Sequence, residues 1–133
     1  MIKIKYTILC VDDEKIVLDS LKTQLRTLLG DSYHYEIAQN GNEALEVVEE
    51  MKDDNLEVII VISDYVMPGM YGDEFLIKLH QKYPQIRKIM LTGQADESVI
   101  KRTREKANLL FCIRKPWTQE DLARVIKVSM DIA

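Results

Sequence analysis

The chain has 133 residues, of which 47% are hydrophobic and 30% charged, a balance that suits one core of the usual ~100–150 residues rather than a disordered or fibrous chain. The formal charge is −4, with lysines and arginines scattered, so no basic field favours direct contact with nucleic acid. The longest apolar run, Val58 to Ile62, falls far short of the ~20 residues that span a bilayer, and no secretory leader follows Met1-Ile2-Lys3-Ile4-Lys5; a folded, cytoplasmic protein is the expectation.

Tyr6 to Val11 reads as a buried strand, rich in β-branched residues. Leu18, Leu21, Leu25 and Leu28 then recur at helical spacing, and Gly30 closes that helix. Tyr33 to Ala38 reads as a second strand. Asn40-Gly41 is a turn signal, and a helix follows with Ala44, Leu45, Val48 and Met51 on one side. Leu56 to Ser63 is almost wholly aliphatic, as expected of a central parallel strand covered on both faces. Pro68-Gly69 breaks the chain in a loop. Phe75, Leu76 and Leu79 mark a third helix, which Tyr83-Pro84 ends because proline disfavours helix at the residue before it. Lys88 to Leu91 reads as a fourth strand, and Asp96 caps a helix carrying Val99, Ile100 and Thr103. Leu109 to Ile113 is a fifth strand, and Leu122, Val125, Ile126 and Met130 line a last helix. Strict strand-helix alternation implies an α/β fold: a doubly wound parallel sheet of order 2-1-3-4-5 with helices on both faces.

Such sheets bind ligands at the carboxyl ends of their strands, where the winding reverses. Asp12, Asp13 and Glu14 follow the first strand, Asp64 the third, Thr92-Gly93 the fourth and Lys115-Pro116 the fifth. Carboxylates gathered in one crevice repel each other unless a cation intervenes, and a sparse oxygen-only set suits magnesium. The plainer alternative is that Asp12-Asp13 caps the first helix. An aspartate can also act as a nucleophile and form an acyl phosphate. Lys115 can then serve as a point-charge phosphate partner, Thr92 can donate its hydroxyl, and Gly93 leaves room for the incoming group. Cys10 and Cys112 sit in apolar runs and read as buried free thiols. His34 and His80 lack partners at metal-ligand spacing. Trp117 reads as a packing residue at the start of the last helix, with a partner anchor as the alternative; Tyr65 can be either.

Val11-Asp12-Asp13-Glu14, Ser63-Asp64-Tyr65-Val66-Met67-Pro68-Gly69, Leu91-Thr92-Gly93 and Lys115-Pro116 together resemble the response-regulator receiver domains of two-component signalling, from about Tyr6 to Met130. The resemblance implies a flavodoxin-like fold and a single receiver domain over 1–133, either stand-alone or cut from a longer protein with an output domain. It implies that Asp64 is the phosphoacceptor, and that Asp12, Asp13, Asp64 and the backbone carbonyl of Val66 arrange Mg2+. Thr92 and Lys115 would hold the phosphoryl group. Val66 and Gln94 would flank it and influence its lifetime. The donor would be a phosphohistidine on a sensor histidine kinase or a histidine phosphotransfer protein. Such a domain catalyses only its own phosphorylation and slow dephosphorylation, as a monomer or weak homodimer. In the family an aromatic residue on the fifth strand changes rotamer and alters the face of the fourth helix, fifth strand and fifth helix. Here that position, three before Lys115, is Cys112, while Phe111 falls one residue earlier and points to the opposite face. Two other readings compete: a receiver-like association module that works without phosphorylation, and a phosphatase of the haloacid-dehalogenase kind. The latter needs a second aspartate two residues after the nucleophile, where this chain has Val66. A nucleotide enzyme would need a Gly-rich loop after the first strand, which is missing.

Overall fold

A computed structural model describes residues 5–131; the leader reading at Met1–Ile4 lies outside the described residues. The β-branched runs form strands β1 (Thr7–Val11), β2 (His34–Ala38), β3 (Val58–Asp64), β4 (Arg87–Thr92) and β5 (Phe111–Arg114). The periodic stretches form helices α1 (Lys15–Leu29), α2 (Gly41–Asp53), α3 (Gly72–Lys82), α4 (Glu97–Ala107) and α5 (Gln119–Asp131). All the strand pairs are parallel, in the order β2-β1-β3-β4-β5, as the alternation implies. Among the described residues no helix is long and apolar enough to cross a membrane.

Local chemistry sets the element ends. Asn40 begins α2 by accepting from the Glu43 amide at 2.8 Å, and Asp96 begins α4 by accepting from the Val99 amide at 3.0 Å. Gly30, at φ 78°, takes the left-handed side at the end of α1 that other residues resist. β3 starts at Val58, two residues into its aliphatic run, and its register with β1 slips between Thr7 and Ile8. β5 likewise starts at Phe111 rather than Leu109: left-handed Asn108 ends α4, and the chain rejoins the sheet only when the Leu110 amide reaches the Lys88 carbonyl at 2.9 Å.

The sheet divides the core in two. Leu9, Val11, Val61 and Met90 pack with Ala44 and Val48 of α2, Phe75, Leu76 and Leu79 of α3 and Ile100 of α4. Ile8, Cys10, Ile60, Ile62, Ile89 and Leu91 pack on the other side with Leu18, Leu21 and Leu25 of α1 and Leu122 and Ile126 of α5. Both cysteines are free. Cys10 is buried in the second layer, and burial pushes its thiol up to about 12; Cys112 is only half-buried, less than its apolar run suggests, because β5 is an edge strand.

Lys88 is the charged residue that the apolar pattern did not place inside. It is 1% exposed, donates to the Ile86 carbonyl at 2.6 Å, and burial pulls its ammonium down to about 8. Below about pH 8 the lysine is charged in both the folded and the unfolded chain, so the cost of burying the ammonium is present in full. Between about 8 and the ordinary 10.5, the unfolded chain holds a proton that the folded one has shed, so stability rises with pH, by up to about 3 kcal/mol. Lys88→Met is therefore expected to stabilise the protein by about 1 kcal/mol at pH 7, net of the lost hydrogen bond, and to flatten that rise. Urea midpoints of both proteins at pH 7 and 9.5 check this; an unchanged pH dependence in the variant would contradict the assignment.

Candidate functional site

Four strand ends meet at one rim of the sheet. Asp12, directly after β1, is 0% exposed and lies under the site floor. Its Oδ1 accepts from the Glu14 amide at 2.9 Å and its Oδ2 from Lys115 Nζ at 2.9 Å. Asp64 ends β3, with its Oδ1 3.1 Å from the same ammonium. One carboxylate oxygen from each of Asp12, Asp13 and Asp64 lies within 4.8 Å of the others. The capping alternative does not describe these aspartates: α1 begins at Lys15, its N-cap residue is Glu14, and no side-chain capping bond is made there.

The loops that carry the site are extensions of the sheet. The Tyr65 amide donates to the Leu91 carbonyl, and the Lys115 amide to the Thr92 carbonyl, each at 3.0 Å. Thr92 is 1% exposed, and its hydroxyl oxygen accepts from the amides of Gln94 (2.9 Å) and Ala95 (2.7 Å), pinning the loop that leads into α4. A cavity of about 270 Å³ opens above, lined by Asp13, Glu14, Asp64, Val66, Thr92, Gly93, Gln94 and Lys115. Val66, two residues after Asp64, is exposed, whereas Ser63, just before it, is buried.

Electrostatics make this a place for added positive charge. Burial first, and the neighbouring Asp12 second, push the Asp64 carboxyl above its ordinary value, against the pull of Lys115. Burial works against the charge on Lys115, yet its hydrogen bonds to Asp12 and Asp64 outweigh that and hold the ammonium above its usual range. An oxygen-only set at close quarters, one member wholly buried, fits a hard divalent ion.

The sequence brought these residues together on the correct rim but did not show how tightly. Gly72 is the main omission. Its amide donates to the Tyr65 carbonyl at 2.6 Å, and a Cβ there would overlap the Asp64 carbonyl oxygen and come within 2.9 Å of Tyr65 Cα. The only sequence signal was a glycine at the start of a helix, where it is a poor former. Trp117 is half-buried beside the α1–α5 layer, as a packing residue should be, and also donates to Gln24 Oε1 at 2.8 Å. The Lys115–Pro116 peptide is cis, which no residue pattern foretold. Cys112 packs towards the α2–α4 layer and Phe111 towards α1 and α5, so the two do lie on opposite faces.

A family model described as the response regulator receiver domain matches residues 8–127. The chain belongs to that family. As a receiver domain of two-component systems it is similar to a segment of the sensor kinase CckA of Brucella abortus (strain 2308), 34% identical over 94% of this chain and 12% of that protein. It is also similar to sporulation initiation phosphotransferase F of Bacillus subtilis (strain 168), 27% identical over 86% of this chain and 92% of that protein. Among solved structures, a CheY-like receiver domain protein from Methanospirillum hungatei JF-1 superposes with a TM-score of 0.82 at 33% identity, over 97% of this chain and 95% of the other. A CheX–CheY–BeF3–Mg complex from Borrelia burgdorferi gives 0.80 at 26% identity, over 97% of this chain and 92% of the other. The receiver domain spans only 12 to 30% of the length of the sensor kinase and of two transcriptional regulators that it also resembles.

Proposed function

We propose that this receiver domain accepts a phosphoryl group on Asp64 from a phosphohistidine of a sensor histidine kinase or histidine phosphotransfer protein. An Asp64 carboxylate oxygen attacks phosphorus, the phosphorus–nitrogen bond breaks, and the electron pair stays on the imidazole nitrogen, which takes up a proton. The product is an acyl phosphate. Asp12, Asp13, Asp64 and the main-chain carbonyl of Val66 would hold magnesium. When bound, that ion supplies positive charge opposite the carboxylate and phosphoryl oxygens. Lys115 pairs its ammonium with a phosphoryl oxygen, and the Thr92 hydroxyl donates to another. Val66 and Gln94, at the cavity wall, govern the access of hydrolytic water and so the lifetime of the phosphorylated state. The domain acts as a monomer or weak homodimer, as one unit of a longer protein or alone, and it signals through the face that includes α4, β5 and α5.

The observation that carries this reading is the ammonium of Lys115 lying 2.9 Å from Asp12 and 3.1 Å from Asp64. Residues 103 positions apart share one ammonium contact at the rim, where that positive charge would offset the negative charge of an incoming phosphoryl group. Acetyl phosphate with magnesium is expected to add one base-labile phosphoryl group per chain, read by intact mass. Asp64→Asn is expected to add none. Wild-type protein that stays unmodified would leave the association module as the better account.

A further inference from the structure

β5 faces α4 with Cys112, a small and half-buried side chain, so any movement of α4 that follows chemistry at Asp64 needs another link. The structure holds two, and both start at the site. The first is Thr92, whose hydroxyl oxygen takes the amides of Gln94 and Ala95 just before α4 begins. The second runs through the start of α3. Gly72 is seated against the Asp64 carbonyl with no room for a Cβ, and its amide bonds the Tyr65 carbonyl at 2.6 Å. A displacement of the phosphoacceptor backbone therefore carries to Gly72 and to Asp73 beside it. Asp73, 5% exposed, accepts from Arg102 in the middle of α4. Tyr65 and Tyr71 close the base of the intervening loop edge to face, with ring centroids 5.3 Å apart and planes at 64°.

We propose that the Asp73–Arg102 ion pair is a breakable tie between the phosphoacceptor loop and α4, and that phosphorylation of Asp64 acts on α4 by loosening it. This rests on the reading of Asp64 as the phosphoacceptor. Each half of the pair has somewhere to go when it opens. Arg102 is half in water already, with its side chain 50% exposed, so its guanidinium is resolvated with a small movement. Asp73 stays in the first turn of α3, where the free amides and the helix dipole favour a carboxylate. A fully buried pair would lack both outlets and would be a fixture rather than a switch. Tyr65 sits at the junction: its hydroxyl is pushed up by burial and then by Asp73, Tyr71 and Asp96, with Arg102 opposing. It follows Asp64 directly in the chain, and its carbonyl accepts the Gly72 amide just before Asp73.

Hydrogen–deuterium exchange over Glu97–Ala107, with and without acetyl phosphate and magnesium, tests the tie. In Arg102→Gln without phosphodonor, α4 amides are expected to exchange about tenfold faster than wild type and close to the phosphorylated wild-type rate, with the α1 and α5 amides unchanged. Phosphorylating the variant should add little more, although intact mass shows the phosphoryl group arriving. Arg102→Lys, which keeps the charge, should recover part of the protection. Wild-type exchange in Arg102→Gln would overturn the proposal, and so would faster exchange spread through all helices. Wild-type protein that gains the mass while α4 stays unaltered would overturn the coupling alone. Protein that gains no mass would overturn the phosphoacceptor reading and the coupling with it.

Discussion

Lys115→Met is expected to slow phosphoryl uptake from acetyl phosphate by about 100- to 1,000-fold, the usual effect of removing one preorganised charge from such a site. The reason is the double contact. The ammonium touches both Asp12 and Asp64, so its loss removes the proposed phosphoryl partner and leaves two carboxylates facing each other. Asp12 is wholly buried and cannot recover its partner from water. Without metal, the variant should therefore lose about 2–3 kcal/mol of stability. Magnesium affinity should move the other way and tighten several-fold, because the lysine no longer competes for the same oxygens. Uptake kinetics, urea denaturation and magnesium titration separate these effects. Unchanged uptake would remove Lys115 from the reaction; weaker magnesium binding would show that the lysine organises the carboxylates instead of competing for them.

Gly72→Ala is expected to destabilise the fold by about 2–4 kcal/mol, more than an ordinary helix glycine would, and to depress phosphoryl uptake in parallel. In most helices this substitution is favourable. Here the new methyl would overlap the Asp64 carbonyl, and the three nearest atoms are all backbone of residues 64 and 65. Backbone in a central strand gives less readily than a side chain end. Gly93→Ala is the control: its Cβ would meet only Lys115 Cβ at 4.0 Å, an ordinary contact, so stability should shift by less than about 0.5 kcal/mol. Equal behaviour of the two variants in urea would mean that the β3–α3 junction is softer than its contacts indicate.

The strands and helices were legible because each buried face repeats with its own period, and the sheet order followed from alternation and handed crossovers. Residues at strand ends were legible as a site because winding direction alone gathers them. What lay outside the pattern depends on pairs distant in sequence. Arg102 carries no signal of its own in the sequence, and its ion pair with Asp73 needs α3 and α4 in place. Lys88 reads only as the first residue of the fourth strand, and its buried bond to the Ile86 carbonyl has no local signal. The crowding at Gly72 depends on how closely α3 approaches β3, a distance that no local propensity encodes. Trp117 was legible as packing, but its bond to Gln24 needed α1 in place.

The main-chain bonds from Tyr65 to Leu91 and from Lys115 to Thr92 have a consequence for how the site tolerates change. They continue the sheet ladder past the last regular residues, so Asp64, Thr92 and Lys115 inherit the strand spacing of about 4.8 Å instead of the latitude of loops. Substitutions that leave the ladder intact should alter rates while preserving where the groups stand. Mispairing anywhere along β3–β4–β5 should disable the reaction even with every reacting side chain still present.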